Sequence, residues 1–328
     1  MKFRQKDVLA LKSKAEMRMD LASPSRKAWI SDRMKDRWFL FFLLGPPAAL
    51  LLLALGIPII KSIYMSFFSV TLLRMNDYQW NNFANYLNLW SGDEFLPSLG
   101  TTLKYVFGIV VLQFVLGMLL AVLLNRIVFM RKWLRTVILI PWTIPTIVVA
   151  LLWMWLFQPQ YGVINYLLVN WGITGKPYDW LTSLDLALPA VMVAALWRQL
   201  PFMTTMLLAG MQGISAEIYE AARMDGANGR QTFWYITLPQ LKSTIKTVTL
   251  IAMIENFKMF PLFWIMTGGG PLNATTTLAI LSYKTAFIKL NLGEGAAIGV
   301  LWLLLLLFIS WGYNRLFAIG EATPERGH

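Results

Sequence analysis

The sequence predicts an all-α integral membrane protein with six transmembrane helices. Hydrophobic residues make up 57% of the 328-residue chain, against roughly 45–50% in soluble domains. Several uncharged runs reach the length of about 20 residues that a helix rising 1.5 Å per residue needs to cross a bilayer. The basic residues cluster beside those runs rather than within them. A net charge of +12 would otherwise suggest a nucleic-acid partner, but cations flanking apolar runs are what membrane topology demands. With no cysteine in the chain, disulfide and thiol chemistry are excluded.

Residues 1–37 hold eleven Lys/Arg and five Asp/Glu. They read as a basic cytoplasmic anchor, with an amphipathic surface helix as the alternative, and their polarity is unlike a signal peptide. Trp38 to Ile60 is an uncharged run of 23 residues interrupted by Gly45-Pro46-Pro47 and Pro58, which predicts a kinked first span with Trp38 at the interface. Residues 69–97 are polar and aromatic and read as an external loop. The second span covers about 99–125, and Arg126, Arg131, Lys132 and Arg135 follow in a short loop without acids. The third span is Thr136 to Phe157, with Pro141 and Pro145 inside it. A second external segment, 158–184, leads to a fourth span at 185–211, and a fifth is expected at 243–266. A third external segment, 267–294, opens with Gly268-Gly269-Gly270-Pro271. The sixth span begins at Gly295, so a permease-like domain of 38–318 is followed by a short cytoplasmic tail, 319–328. Of the 29 Lys/Arg residues, 21 fall in the N-terminal segment, the 126–135 loop, the 212–246 region and the C-terminal end from Arg315 onward, and only four in the three external segments. The positive-inside rule therefore makes both termini and the 212–246 region cytoplasmic.

That region contains a helix–turn–helix, from Ile218 to Pro239, between two very hydrophobic runs. Ser215 can cap a first short helix with Glu217 near its positive end. Gly226 can end it in a left-handed residue, and Asn228 can cap a second helix running up to Pro239. Ala221 and Ala222 are small enough to let another surface approach closely, and Glu220 offers that surface a carboxylate.

These residues also carry a resemblance. Glu220, Ala221 and Ala222, three residues, Gly226, nine residues, Ile236, one residue, then Leu238 and Pro239, match at every position the cytoplasmic loop of permeases in binding-protein-dependent ABC importers. The resemblance implies a type I ABC importer (MetI-like) fold in which this coupling loop, 212–240, docks as a coupling helix into a cleft of an ATPase subunit. It implies no cofactor in this chain, with ATP and Mg handled by that ATPase. The implied partners are two ATPase subunits, a second permease (G-type) completing a heterodimeric pore, an extracytoplasmic solute-binding protein and membrane lipid, in a bacterial inner membrane. The Asn85-Tyr86 segment, Trp197 to Pro201, and Gly268 to Thr277 are similar to the first (maltose-transporter F-type) permease of the carbohydrate subgroup, which implies import of a sugar, the oligosaccharide class above all.

Two spans carry polar groups near their middle, where a charge is costly unless it faces a partner or a wet cavity. The fourth has Arg198 and Gln199 ahead of Pro201 and Phe202, and the fifth has Glu255, Asn256 and Lys258. Amides suit sugar hydroxyls and an aromatic face suits a pyranose ring. Arg198 and Glu255 can pair with each other or contact ligand, and Arg198 with Lys258 raises the alternative of an acidic sugar against a neutral one. In the family resembled, the sugar is held midway across the bilayer. The matching offsets fall on Arg198, Gln199, Phe202, Glu255, Asn256 and Met259, by region rather than identity.

The sequence lacks G-x-x-x-x-G-K-[ST], so this chain does not split ATP through a P-loop. Its single histidine, His328, excludes His-based metal or nucleophilic sites. An ion-coupled secondary transporter is the alternative, but it should show internal repeats and matching broken helices. An enzyme has no His-containing cluster to use and would need one built on Asp/Glu, and a scaffold subunit with no transported ligand is the third alternative.

Overall fold

The computed structural model describes residues 26–126 and 131–319, with side-chain surroundings for 39–126, 133, 134 and 136–317. Most of the basic N-terminal segment and nearly all of the tail lie outside these. The chain divides into two compact units, Met1–Lys61 and Ser62–His328. The first consists, where described, of helix α1 (Arg26–Leu51), a π-helical stretch (Leu52–Gly56) and the start of α2 (Ile57–Met65). Pro46 and Pro47 lie within α1. The π stretch ends just before Pro58, whose absent N–H interrupts the regular ladder there.

The second unit opens with a feature that periodicity did not suggest: an antiparallel hairpin of β1 (Phe68–Thr71) and β2 (Arg74–Trp80). Phe67, Trp80, Phe83 and Tyr86 stack around it, and buried Asn85 donates to the carbonyls of Ser66 (2.8 Å) and Phe68 (3.0 Å). Helices α3 (Ala84–Ser91) and α4 (Phe95–Arg126) follow, then α5 (Arg131–Thr143), α6 (Thr146–Leu156), α7 (Val163–Asn170) and α8 (Ala187–Gln212). After the 213–241 segment come α12 (Lys242–Phe257), α13 (Pro261–Met266), α14 (Leu278–Tyr283) and α15 (Leu292–Ile319).

Among the described residues, four helices have the length and composition to cross a membrane: Phe39–Met65, Phe95–Arg126, Ala187–Gln212 and Leu292–Phe317. The third expected span is a pair, Thr136–Thr143 and Thr146–Leu156, bent by 98° where Pro145 breaks the helix. The fifth is not one continuous helix. Lys258 caps α12, and Pro261 starts α13 at a position where its missing N–H is harmless, leaving 258–260 irregular. Length and composition therefore give at most five spans rather than six.

The core is built around α4 and α8, which pack on each other more extensively than any other helix pair. On α4, Tyr105, Ile109, Gln113, Gly117, Ala121 and Leu124 form one buried stripe at helical spacing. On α8 the buried positions include Ala187, Ala190, Ala194 and Ala195. Small residues allow backbones in a membrane to approach closely, where no hydrophobic force drives helices together. Gly117 is the tightest instance: a Cβ there would lie 2.6 Å from Met203 Cγ and 3.4 Å from the Thr204 nitrogen. Gly117→Val is expected to destabilise the protein by about 1–3 kcal/mol through overpacking, read as a lowered melting temperature in detergent. An unchanged melt would mean the two helices can separate there at no cost.

The segments assigned by charge to the outside knit together. Leu72 donates to the Leu290 carbonyl at 2.9 Å, and Lys289 pairs with Glu94 at 2.6 Å. The glycine-rich loop folds on its threonines: Thr275 and Thr276 hydroxyls donate to the carbonyls of Gly270 (2.7 Å) and Gly269 (2.9 Å). Gly269 has φ of +88°, and a Cβ would stand 2.5 Å from Thr276 Oγ1, so a side chain is excluded on both counts.

Candidate functional site

Two sites emerge, one at the end of the bundle and one within it. The first is the helix–turn–helix. Ser215 Oγ accepts from the Glu217 N–H at 3.3 Å and starts α9 (Ala216–Met224). Gly226, at φ +78°, reverses the chain. Asn228 and Gln231 form a reciprocal capping box (2.9 and 2.8 Å) that starts α10 (Gly229–Thr232). A π-helical stretch, Phe233–Thr237, leads into α11 (Leu238–Gln240), so the helical path continues past Pro239 rather than stopping before it.

The expected docking residues divide between two faces. Glu220 and Ala221 are exposed, as are Gly226 and Pro239, while Ile236 and Leu238 are partly covered. Ala222, expected beside Ala221 on the outer face, is instead 7% exposed and packs within the chain, because successive residues on a helix point about 100° apart. The outward face carries Ile218, Ala221 and Met224 at helical spacing, and Met224 is 88% exposed. Beneath the hairpin lies a crevice of about 610 Å³, where Tyr219 and Phe233 face Asn125 and Arg126 at the end of α4. The hairpin and the C-terminal end of α4 therefore share one end of the unit.

The second site is a cavity of about 340 Å³ among α4, α5, α8 and α12. Gln113, Trp142, Arg198, Gln199, Phe202 and Glu255 are among its lining residues. Trp142 and Phe202 stack at 5.8 Å with their planes 21° apart. Behind the wall lies a buried amide network. Gln199 Nε2 donates to Asn256 Oδ1 (3.1 Å), Asn256 Nδ2 donates to Gln199 Oε1 (3.2 Å), and Tyr105 Oη donates to Asn256 Oδ1 (2.9 Å). Gln113 Nε2 donates to Gln199 Oε1 at 3.3 Å, and Asn256 Nδ2 also reaches the Ala252 carbonyl at 2.8 Å. With every partner present, such a network fixes the register of three helices.

Of the six residues expected at a mid-span site, Arg198, Gln199, Phe202 and Glu255 line the cavity, while Asn256 (1% exposed) and Met259 (8%) do not. Asn256 acts behind the wall, holding Gln199. The alternative pairing of Arg198 with Glu255 is not what the structure adopts. Glu255 Oε1 meets Lys258 Nζ at 2.7 Å, one helical turn along, a geometry that i,i+3 spacing provides at little cost. Sequence reasoning missed Gln113, Tyr105 and Trp142. Gln113 was findable, as the one amide in the uncharged Tyr105–Leu124 run.

Residues 113–318 match the model of a family described as binding-protein-dependent transport system inner membrane component. The chain is 37% identical over 235 residues to a trehalose/maltose transport system permease of Thermococcus litoralis, covering 71% of this chain and 78% of that one. It is 33% identical over 294 residues to a sulfoquinovosyl glycerol transport system permease of Agrobacterium fabrum, covering 89% and 94%. Its fold matches a chain of a bacterial ABC transporter involved in the import of the acidic polysaccharide alginate, with a TM-score of 0.77 at 23% identity over 90% of this chain and 99% of that one.

Proposed function

We infer the function from one premise, that this chain belongs to the family of binding-protein-dependent transport system inner membrane components. It is a membrane-embedded permease subunit of an ABC transporter, and ATP hydrolysis belongs to a separate subunit. Its cargo in the proposed function is a carbohydrate of the oligosaccharide class, delivered by an extracytoplasmic solute-binding protein and passed inward. The permeases of T. litoralis and A. fabrum support this, since both are named for glycosides or disaccharides. The proposed pore is a heterodimer with a second permease, carrying two ATPase subunits that handle ATP and Mg, in a bacterial inner membrane with both termini cytoplasmic.

The observation that carries the reading is the exposed Ile218–Ala221–Met224 face of α9, apolar and unmatched within the described residues, on a hairpin fixed at its turn by two caps and a left-handed glycine. Exposed apolar patches of this kind mark contact surfaces, and the Arg126 that faces the hairpin's inner side across the crevice supports a place on the cation-rich side. In the proposed cycle the ATPase pair seizes α9 of each permease and moves it as a lever. Because only residues 213–215 separate α9 from α8, that motion reaches the helix carrying Arg198, Gln199 and Phe202. The hairpin is thus the two-state element that couples the two sites.

The experiment reconstitutes the chain with both ATPase copies, the second permease and the receptor in lipid nanodiscs. Saccharide-loaded receptor should raise ATP hydrolysis at least several-fold over empty receptor. Stimulation by no saccharide would overturn the cargo class, and uptake driven by an ion gradient without any ATPase would overturn the ABC assignment.

A further inference from the structure

The guanidinium of Arg198 is the one cation lining the cavity, and it lies in the field of Glu255 without forming an ion pair. Its Nε is shut off from solvent and finds no acceptor among the described residues. The nearest candidate acid, Glu255, lines the same cavity but is engaged by Lys258 at 2.7 Å, so the three charges leave one positive charge over. A charge inside a membrane span with a shielded donor left unfilled is unfavourable and marks a functional site. The surroundings say what would relieve it. The stacked Trp142–Phe202 pair forms a flat apolar wall beside Arg198. Gln199, locked by Asn256, spends one of its two Nε2 hydrogens on Asn256 Oδ1 and keeps the other. A ring with an apolar face, a hydroxyl within reach of an amide and an anionic group matched to a guanidinium fork completes this set.

We propose that the permeating sugar is acidic, and that Arg198 reads its carboxylate or sulfonate while Trp142 and Phe202 bear the ring. This rests on the carbohydrate reading above and narrows it. The Glu255–Lys258 pair then tunes the field at Arg198 without cancelling its charge.

The test measures equilibrium binding of three probes to the full purified transporter complex: a glucose disaccharide whose terminal C6 is an alcohol, a carboxylate or a sulfonate. The wild type should bind at least one acidic probe tenfold or more above the alcohol, the size expected of a charge-assisted hydrogen bond. Which acid wins separates uronic from sulfonated cargo. Arg198→Gln should reduce that preference to within about twofold, and Arg198→Lys should retain part of it. Equal or tighter binding of the alcohol by the wild type overturns the proposal, as does a preference that survives in Arg198→Gln. If none of the three binds while receptor-stimulated ATP hydrolysis persists, acid recognition fails and the permease reading stands.

Discussion

Ala221→Trp is expected to lower receptor-stimulated ATP hydrolysis and uptake between tenfold and a hundredfold while leaving the fold intact. Ala221 is exposed on α9, in line with Ile218 and Met224, and surface substitutions of that kind usually shift stability by no more than about 0.5 kcal/mol. A partner seated on a small-residue helix cannot tolerate an indole there, and overpacking at a formed contact costs about 1–3 kcal/mol, with 1.4 kcal/mol for each factor of ten. Ala222→Trp separates the two faces of the helix. Ala222 is buried inside the chain, so that variant should melt the hairpin and lower the protein's thermal stability as well as its coupling. If Ala221→Trp supports wild-type stimulation, α9 is not the surface the motor holds.

The second large effect is expected at Asn256. Asn256→Leu keeps the branched shape but removes the partner of Gln199, Tyr105 and Gln113 at once. A buried polar group left unpaired costs about 1–3 kcal/mol, so a loss of roughly 3 kcal/mol is expected, about 5–10 °C in melting temperature for a domain of this size. Transport should fall further than stability alone explains, since Gln199 is then free to swing out of the cavity wall. Asn256→Asp, which keeps the acceptor oxygen but loses the amide donor, should restore part of the stability only in acid, where the carboxyl can also donate. A melt unmoved by Asn256→Leu would show that the three helices are held by packing and not by the network.

How much of this was legible from the residues depended on how local the cause was. The hairpin was readable because its caps and turn are chemistry of adjacent residues: Ser215, Gly226 and Asn228 act within three positions of what they stabilise. The inward turn of Ala222 was also readable, since helical geometry forbids neighbours from sharing a face. So was the Glu255–Lys258 pair, whose spacing favours it over a partner on another helix. The cavity was only half legible. Arg198, Gln199 and Phe202 announce themselves as polar or aromatic groups beside a proline, but Trp142 looks like any interfacial tryptophan until α5 packs against α8. The external hairpin of β1 and β2 depends on Asn85 and on contacts with Leu290 far along the chain, and no periodicity in 69–97 reports such partners. The broken fifth span was signalled by Pro261, outweighed by the apolar residues around it.

The central claim is that α9 lies on the cytoplasmic side and is held there by a separate ATPase. The chain contains no cysteine, so Ala221→Cys gives a single label site. Labelling with a membrane-impermeant maleimide, in right-side-out and inverted vesicles, with and without the ATPase subunits, tests that claim most directly. Labelling confined to inverted vesicles, and blocked when the ATPase is present, is the predicted result. Labelling from the outside, or labelling from the inside that the ATPase leaves unchanged, would contradict it.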